Sequence, residues 1–180
     1  MMTLSRLGRL AAAALGALSL TACASLDVRS FVERGADLTR YNTYTWGPAD
    51  RQATGDPRLD NNEFFQERMQ AAVEQHLNAK GFEKTGTGAS DLLIHYHASV
   101  KQEINANGTD QPYVTCDHCE PYVFDAGTIV VDLVDARTSK LVWRGWAEGT
   151  FDDFVDDQTW MEKRIDDAVA KILSRLPRRL

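Results

Sequence analysis

The sequence predicts an α+β domain, built on a mostly antiparallel sheet of about five strands with two helices packed on one face. Five segments alternate apolar and polar residues or are dense in β-branched and aromatic residues, as strands are. Two other segments repeat apolar residues at helical spacing. The order along the chain is strand, strand, helix, three strands, helix, which favours a sheet covered by both helices on one side.

The N-terminus has the layout of a bacterial lipoprotein signal. Arg6 and Arg9 precede an apolar run of 11 residues that ends at Leu20, and a helix that spans a bilayer needs about 20 residues. The run closes in Leu20-Thr21-Ala22-Cys23, which resembles the lipobox, where the cysteine is acylated and becomes the first residue after cleavage. We therefore expect a signal peptide over 1–22, lipidation at Cys23 and a short tether over 23–25.

The residue after the cysteine and the charge of the chain indicate where the domain lies. Ala24 stands where a signal for retention in the inner membrane would place Asp, so we expect the outer membrane, with the domain facing the periplasm. The net charge of the whole chain is −6, and two of its 20 basic residues precede Cys23, whereas all 26 acidic residues follow it. An acidic domain argues against nucleic acid as a partner. The acyl chains are the expected contact with the membrane.

The first half of the domain, which we expect to be a single unit over 26–180, contains two predicted strands and a helix. Leu26–Glu33 alternates along its length, and Tyr41–Trp46 is dense in aromatic and β-branched residues before Gly47-Pro48 ends it. A helix cap is predicted within Asp60–Glu63 and a left-handed stop at Lys80-Gly81. Between them the residues at helical spacing are Phe65, Met69, Ala72, Val73, His76 and Leu77.

The second half contains three predicted strands and a second helix. Asp91–Lys101 alternates, and Gly127–Asp135 and Leu141–Phe151 are joined by the short polar hairpin 136–140. Between the first and second of these strands a loop is predicted over 102–126, longer than compact domains usually contain. Thr159-x-x-Glu162 is typical of a capping box at a helix start, and the acid pair Asp156-Asp157 before it also suits a helix N-terminus. The apolar stripe of that helix comprises Ile165, Val169, Ile172, Leu173 and Leu176.

The motif Cys116-Asp117-His118-Cys119 lies in the predicted loop and admits several interpretations. Haem attachment needs a histidine directly after the second cysteine, where Glu120 stands. A redox pair needs its first thiol at a helix N-terminus, and the flanking residues look extended. After Cys23, two cysteines remain, and an even number in an oxidising compartment favours a disulfide between Cys116 and Cys119.

Metal binding by the same motif is the alternative. His95 and His97 are two residues apart on a predicted strand, so both point to one face, where they could share an ion. With Cys116, His118 and Cys119 they would form a zinc or copper site. A single Cys-x-x-Cys lacks the second ligand pair that makes a zinc motif specific. We therefore expect no cofactor, and a periplasmic metal-binding lipoprotein remains the alternative function.

Catalytic motifs are absent from the sequence, which contains neither Gly-x-Ser-x-Gly nor His-Glu-x-x-His. We therefore expect a non-catalytic binding or structural role in the cell envelope. The sheet face opposite the helices is predicted to show His95 and His97. Depending on strand register, it also shows Arg144, Trp146, Glu148 or Asp132, and Arg144 and Trp146 are the proposed partner residues among these. Such a face could bind an envelope protein or peptidoglycan. The simpler interpretation is the solvated side of a half-buried sheet.

Several segments also carry a resemblance to a known family. They are Tyr41–Trp46, Ala79–Phe82, Ser90–Ile94, Gly127–Asp135, Leu141–Gly145 and Ala168–Leu173. Together, and in this order, they resemble the bacterial lipoprotein family called domain of unknown function 4136. The resemblance implies an envelope lipoprotein of α+β fold and brings no activity, cofactor or catalytic residue. The chain departs from the family at Ser139, where Gly is usual, and at the Cys116–Cys119 motif, which lies outside the family pattern.

Overall fold

A mixed sheet with two helices on one face forms the domain. The computed structural model describes residues 26–47, 59, 61–86, 89–105, 122–151 and 156–177. Within these residues the six strands are β1 (Asp27–Val32), β2 (Thr43–Trp46), β3 (Glu83–Lys84), β4 (Leu92–Asn105), β5 (Tyr122–Asp135) and β6 (Lys140–Thr150). The helices are α1 (Glu63–Ala79) and α2 (Gln158–Ser174), and a 3₁₀ turn spans Leu38–Arg40.

The strand order across the sheet is β1-β6-β5-β4-β2-β3. Strands β1, β6, β5 and β4 pair antiparallel, whereas β2 pairs parallel with both β4 and β3. The predicted α+β class is confirmed, but the prediction of five mostly antiparallel strands is wrong, because the sheet is mixed and has six. The reason is that α1 lies between β2 and the strands that follow it, and a crossover of that kind returns the chain parallel.

Helix α1 agrees with its predicted signals. The side chain of Asn62 accepts a hydrogen bond from the backbone N–H of Phe65 at 2.9 Å, which caps the N-terminus. At the other end Gly81 has a φ of 85°, the left-handed conformation that glycine adopts without steric cost. The buried face of α1 consists of Phe65, Met69, Ala72, Val73 and Leu77.

Helix α2 begins earlier than the predicted capping box. The N-cap is Asp157, whose carboxylate accepts hydrogen bonds from the N–H groups of Thr159 at 2.8 Å and Trp160 at 3.1 Å. The prediction that Thr159 caps the helix is wrong. Both residue types favour this position, but a carboxylate also interacts with the positive end of the helix dipole, which a hydroxyl does not.

The hydrophobic core lies between the helices and one face of the sheet. The sheet contributes alternate residues of three neighbouring strands, and all of them are buried: Leu92, Ile94, Ile129, Val131, Leu133, Trp143 and Ala147. The two helices contact each other above this face, and α2 also contacts β1, β5 and β6. At Gly145 the absence of a side chain lets Ile172 of α2 and the indole of Trp143 occupy the space above the strand.

Strands β4 and β5 extend beyond their predicted ends. They remain paired as far as Asn105 and Tyr122, so part of the loop predicted over 102–126 is strand. Cys116, His118 and Cys119 lie outside the described residues, as does Cys23. The predicted disulfide and the predicted lipidation therefore stay predictions.

The turn between β5 and β6 is held by the carboxylate of Asp135. It accepts hydrogen bonds from the N–H groups of Arg137 and Thr138 at 3.0 and 2.8 Å and from the hydroxyl of Tyr41 at 2.9 Å. Burial raises the pKa of Asp135, but these hydrogen bonds outweigh it and lower the pKa to about 2. Ser139 closes the turn with a φ of 56°. This is a left-handed conformation, for which glycine is favoured.

We predict that Asp135→Asn removes about 2 kcal/mol of stability at neutral pH. It also removes the part of the pH dependence of stability that comes from the Asp135 carboxylate. The folded-state pKa lies below the ordinary value of 3.8. The stabilisation is therefore complete above about pH 4 and is lost as the pH falls towards 2. Urea unfolding across this range measures the effect, with Glu67→Gln on the exposed surface of α1 as the control. Equal pH dependence of wild type and Asp135→Asn would contradict the assignment.

Candidate functional site

The two faces of the sheet are covered differently. Helices α1 and α2 pack on the face of Ile94, Val131 and Trp143, and within the described residues no other helix or strand lies over the opposite face. We call this opposite side, formed by the alternate residues of β1, β6, β5 and β4, the open face. Strand register decides which residues share it.

Two rows of side chains cross the open face. In the first row the paired positions are His95, Asp132, Arg144 and Phe31, from β4 to β1. In the second row they are His97, Val130, Trp146 and Arg29. All four residues that the sequence suggested for a partner face, His95, His97, Arg144 and Trp146, thus lie on one side of the sheet. The register resolves the alternatives that the sequence left open for Arg144 and Trp146.

The centre of the open face is an ion pair between Asp132 and Arg144. Asp132 is only 4% exposed although α1 and α2 both lie on the other side of the sheet. Both oxygens of its carboxylate accept hydrogen bonds from Arg144, from Nε at 2.7 Å and from Nη2 at 2.6 Å. These bonds raise the pKa of Arg144. Two parallel hydrogen bonds fix the plane of the guanidinium, so its other edge is held towards solvent.

His97 adjoins this pair. Its Nε2 atom lies 3.6 Å from Oδ2 of Asp132. Its Nδ1 atom is buried and has no hydrogen-bond partner within the described residues. The side chains of Arg144 and His97 thus flank the buried carboxylate of Asp132. This arrangement holds three polar groups together on the open face.

The position of His95 depends on Gly47, the residue that follows β2. A Cβ atom built on Gly47 would come within 2.2 to 2.9 Å of three atoms of the His95 ring. Gly47 therefore leaves the space that the imidazole occupies, next to the end of β2. Sequence reasoning treated Gly47 only as a strand terminator.

The register places Asp132, which the sequence left open, on the open face and adds Phe31, which the sequence pattern does not identify. Asp132 interrupts the apolar run from Ile129 to Val134, and a charged residue within a buried strand indicates a paired group. Phe31 is 44% exposed, which makes it an unusually exposed aromatic. Alternation along β1 places it opposite Arg144.

We predict that Arg144→Ala destabilises the domain by about 2 kcal/mol, because it leaves the buried carboxylate of Asp132 without its two donors. Arg29→Ala, which removes an exposed arginine from the next row, is expected to cost less than about 1 kcal/mol. Chemical denaturation of the three proteins measures both effects. Adding Asp132→Ala to Arg144→Ala should restore part of the loss, and strict additivity of the two changes would contradict the pairing.

The residues of the alternative metal site fall in two parts of the chain. His95 and His97 lie on β4 among the described residues, whereas Cys116, His118 and Cys119 lie outside them. The shared metal site therefore stays a prediction. Among the described residues no group of three His, Cys, Asp or Glu side chains is arranged to hold a metal ion.

Two clefts lie at the periphery of the sheet among the described residues. One is lined by Leu26, Asp27, Val28, Lys171, Ser174 and Arg175. The other surrounds the turn of Asp135 and includes Arg40, Tyr41 and Arg137. Neither includes His97, Asp132 or Trp146.

Within the described residues, no helix has the length and hydrophobicity to cross a bilayer.

One solved structure supports this fold, and a second is similar at a lower score. A PDZ domain protein from Parabacteroides distasonis superposes with a TM-score of 0.58 at 15% sequence identity, over 85% of this chain and 36% of that one. The chain thus corresponds to about a third of that protein. A PelC dodecamer from Paraburkholderia phytofirmans gives a TM-score of 0.48 at 12% identity, over 87% of this chain and 100% of that one. No curated protein matches the sequence.

A family model matches the sequence almost from end to end. The domain of unknown function DUF4136 covers residues 28–178, from β1 to beyond the end of α2. This confirms the resemblance seen in the sequence. The chain belongs to the DUF4136 family.

Proposed function

We propose that this protein is a lipoprotein of the outer membrane that faces the periplasm and binds an envelope protein through the open face of its sheet. The role is non-catalytic. The observation that carries the proposal is the buried Asp132, which holds Arg144 in a fixed orientation on the uncovered side of the sheet. A fixed guanidinium flanked by aromatic residues is typical of residues that dominate protein interfaces.

The composition of the open face supports a binding role. Arg144 lies between Asp132 and Phe31 in the first row, and Trp146 lies between Val130 and Arg29 in the second. Arginine, tryptophan and phenylalanine are enriched in interfaces, and an ordered arginine loses less conformational entropy on binding. Arg144 is 45% exposed and Phe31 is 44% exposed, so both are accessible to a partner.

The shape of the face favours a protein over a glycan chain. Glycans and small ligands are bound mostly in concave sites, whereas the two clefts described above are not lined by any residue of the two rows. A sheet face of four strands offers a broad surface that a protein can cover. Peptidoglycan is therefore the alternative outcome of the test below.

The N-terminus supports the proposed location. The lipobox-like Leu20-Thr21-Ala22-Cys23 is followed by β1 only four residues after the cysteine. A tether this short keeps the sheet within about 15 Å of the membrane surface. Its partner would then be a membrane protein or a protein that approaches the membrane closely.

Site-specific photocrosslinking in cells tests the proposal. A photoreactive amino acid is placed at His97 or Trp146 on the open face, and at Gln70 on the exposed surface of α1 as the control. We expect both open-face positions to capture the same protein, identified by mass spectrometry, and Gln70 not to capture it. Equal capture at all three positions, or capture of peptidoglycan fragments alone, would contradict a protein-binding open face.

A further inference from the structure

The two edges of the sheet differ in how they are protected from further strand pairing. At one edge, β3 has two residues, Glu83 and Lys84, and both are charged and exposed. Short, charged edge strands of this kind discourage additional pairing. At the other edge β1 has six residues and pairs only with β6 among the described residues. The β1 edge thus lacks the protection that the β3 edge has.

Backbone geometry shows which groups of β1 are directed outwards. The N–H of Glu33 donates to the carbonyl of Val142 on β6 at 3.1 Å. Hydrogen-bonded pairs in an antiparallel ladder recur every second residue, so Phe31, Arg29 and Asp27 also bond towards β6. The N–H and C=O groups of Val28, Ser30 and Val32 then point away from the sheet.

The same edge carries exposed apolar side chains. Phe31 and Val32 are the large hydrophobic residues classed as exposed among the described residues, at 44% and 41%. Consecutive residues of a strand point to opposite faces. Phe31 therefore borders the open face and Val32 the helix side, so that both surfaces of the edge are apolar at one point.

We propose that β1 pairs antiparallel with β1 of a second copy, with Phe31 on the two-fold axis. Ser30 of each copy then exchanges both backbone hydrogen bonds with Val32 of the other. Phe31 faces Phe31 of the second copy, at a non-hydrogen-bonded position where side chains approach closely. The partner of this edge is thus the protein itself.

Charge selects this register over its neighbours. The outward groups belong to even-numbered residues, so the symmetric pairings centre on Arg29, Ser30, Phe31 or Val32. Centring on Arg29 opposes two arginines. Centring on Ser30 opposes Asp27 to Glu33. Only centring on Phe31 places Arg29 opposite Glu33, twice per dimer.

Centring on Val32 is excluded on other grounds. It would oppose Arg29 to Gly35, which has a φ of 83° and lies in the turn after β1. Glu33 would face Phe31, and the charge complementarity would be lost. The charges of this register are accessible. Among the described residues, Glu33 is exposed and has no ion-pair partner, and Arg29 forms an ion pair with the exposed Asp27.

The dimer would join the two open faces. The two-fold axis of such a strand pair is normal to the sheet, so both sets of helices lie on one side and both open faces on the other. The two copies of Cys23 would also reach the same membrane plane, a point that rests on the proposed lipidation. Anchoring both copies in one membrane raises their effective concentration.

Disulfide crosslinking of the full-length, membrane-bound chain tests the pairing. In a Cys116→Ser, Cys119→Ser background, single cysteines replace Phe31, Ser30 or Arg29, each of which lies on the axis of one register. We expect Phe31→Cys to give a covalent dimer in high yield, because the Cα atoms of a non-hydrogen-bonded pair are about 4.5 Å apart. Ser30→Cys and Arg29→Cys should give at least tenfold less.

Exchanging the charges of Arg29 and Glu33 supplies a control, because it tests the pairing through charge as well as through cysteine oxidation. Arg29→Glu and Glu33→Arg, each combined with Phe31→Cys, place like charges together in a homodimer. We expect each chain alone to crosslink at least fivefold less. Together, differently tagged, they should form the heterodimer at the original yield, since both pairs are then opposite in charge. A preserved melting temperature for each variant confirms that folding is intact.

Several results would overturn the proposal. These are no dimer with Phe31→Cys, a higher yield with Ser30→Cys or Arg29→Cys, or no recovery in the mixed charge variants. Crosslinking of Phe31→Cys to a different protein would show that the edge has another partner. Loss of palmitate labelling would instead contradict the proposed lipid anchor at Cys23. Failure of the β1 pairing and failure of the anchor are therefore distinguishable.

Discussion

Gly145→Ala is expected to destabilise the domain by about 3 kcal/mol, a large fraction of the stability of an ordinary domain. A Cβ at this position would lie 2.3 Å from the indole of Trp143 and 2.7 Å from Cγ2 of Ile172. Both side chains are fully buried, so neither can move into solvent to relieve the overlap. Either α2 must move away from β6 or the indole must leave its position. Thermal and urea unfolding measure the loss.

Two further variants distinguish local overlap from a general effect of replacing glycine. Gly86→Ala adds the same methyl group where nothing lies within 4 Å, and it should change stability by less than about 0.5 kcal/mol. Trp143→Leu removes the nearest obstacle. The double variant with Gly145→Ala should therefore lose less than the sum of the single losses. Equal destabilisation at Gly145 and Gly86 would contradict the packing described here.

Cys23→Ser is expected to abolish lipid anchoring of the protein in the outer membrane. Lipobox cleavage and acylation both depend on the cysteine thiol, and each buried methylene of the acyl chains contributes about 0.8 kcal/mol to anchoring. The variant should lose all incorporation of labelled palmitate and fail to fractionate with the outer membrane as the mature lipoprotein. Membrane fractionation with palmitate labelling measures both.

Two matched variants separate anchoring from the other cysteines and from sorting. Cys116→Ser with Cys119→Ser should keep full palmitate labelling, because neither residue lies in the lipobox. Ala24→Asp should keep the palmitate label but move the protein to the inner membrane, since it introduces the Asp of a retention signal. Palmitate labelling that persists in Cys23→Ser would contradict the assignment of the lipidation site.

Elements with strong local signals were predictable from the sequence. Helix α1 has its cap at Asn62, its apolar stripe and its left-handed Gly81 where the pattern indicates them. The alternation in β4 and the hairpin between β5 and β6 are equally local. Such features depend on neighbouring residues, and the sequence records them directly.

Features that depend on distant contacts were not predictable. Strand β3 has two residues and no periodicity, and it forms only because Glu83 and Lys84 lie beside β2. The parallel direction of β2 follows from the route of the chain through α1. The pairing of Asp132 with Arg144 needs the register of β5 and β6, with its shift between Leu133 and Val134. A single sequence does not specify register across a bulge.

The most direct test of the open face is the change in crosslinking when its surface is altered. The photoreactive residue is placed at His97, and its capture of the envelope partner is quantified in cells for three chains. The first chain has an otherwise natural sequence, the second also carries Trp146→Ala, and the third also carries Gln70→Ala. We predict at least a tenfold loss of capture with Trp146→Ala and no change with Gln70→Ala on the surface of α1. Unchanged capture with Trp146→Ala, or equal loss in both variants at equal protein levels, would contradict binding through the open face.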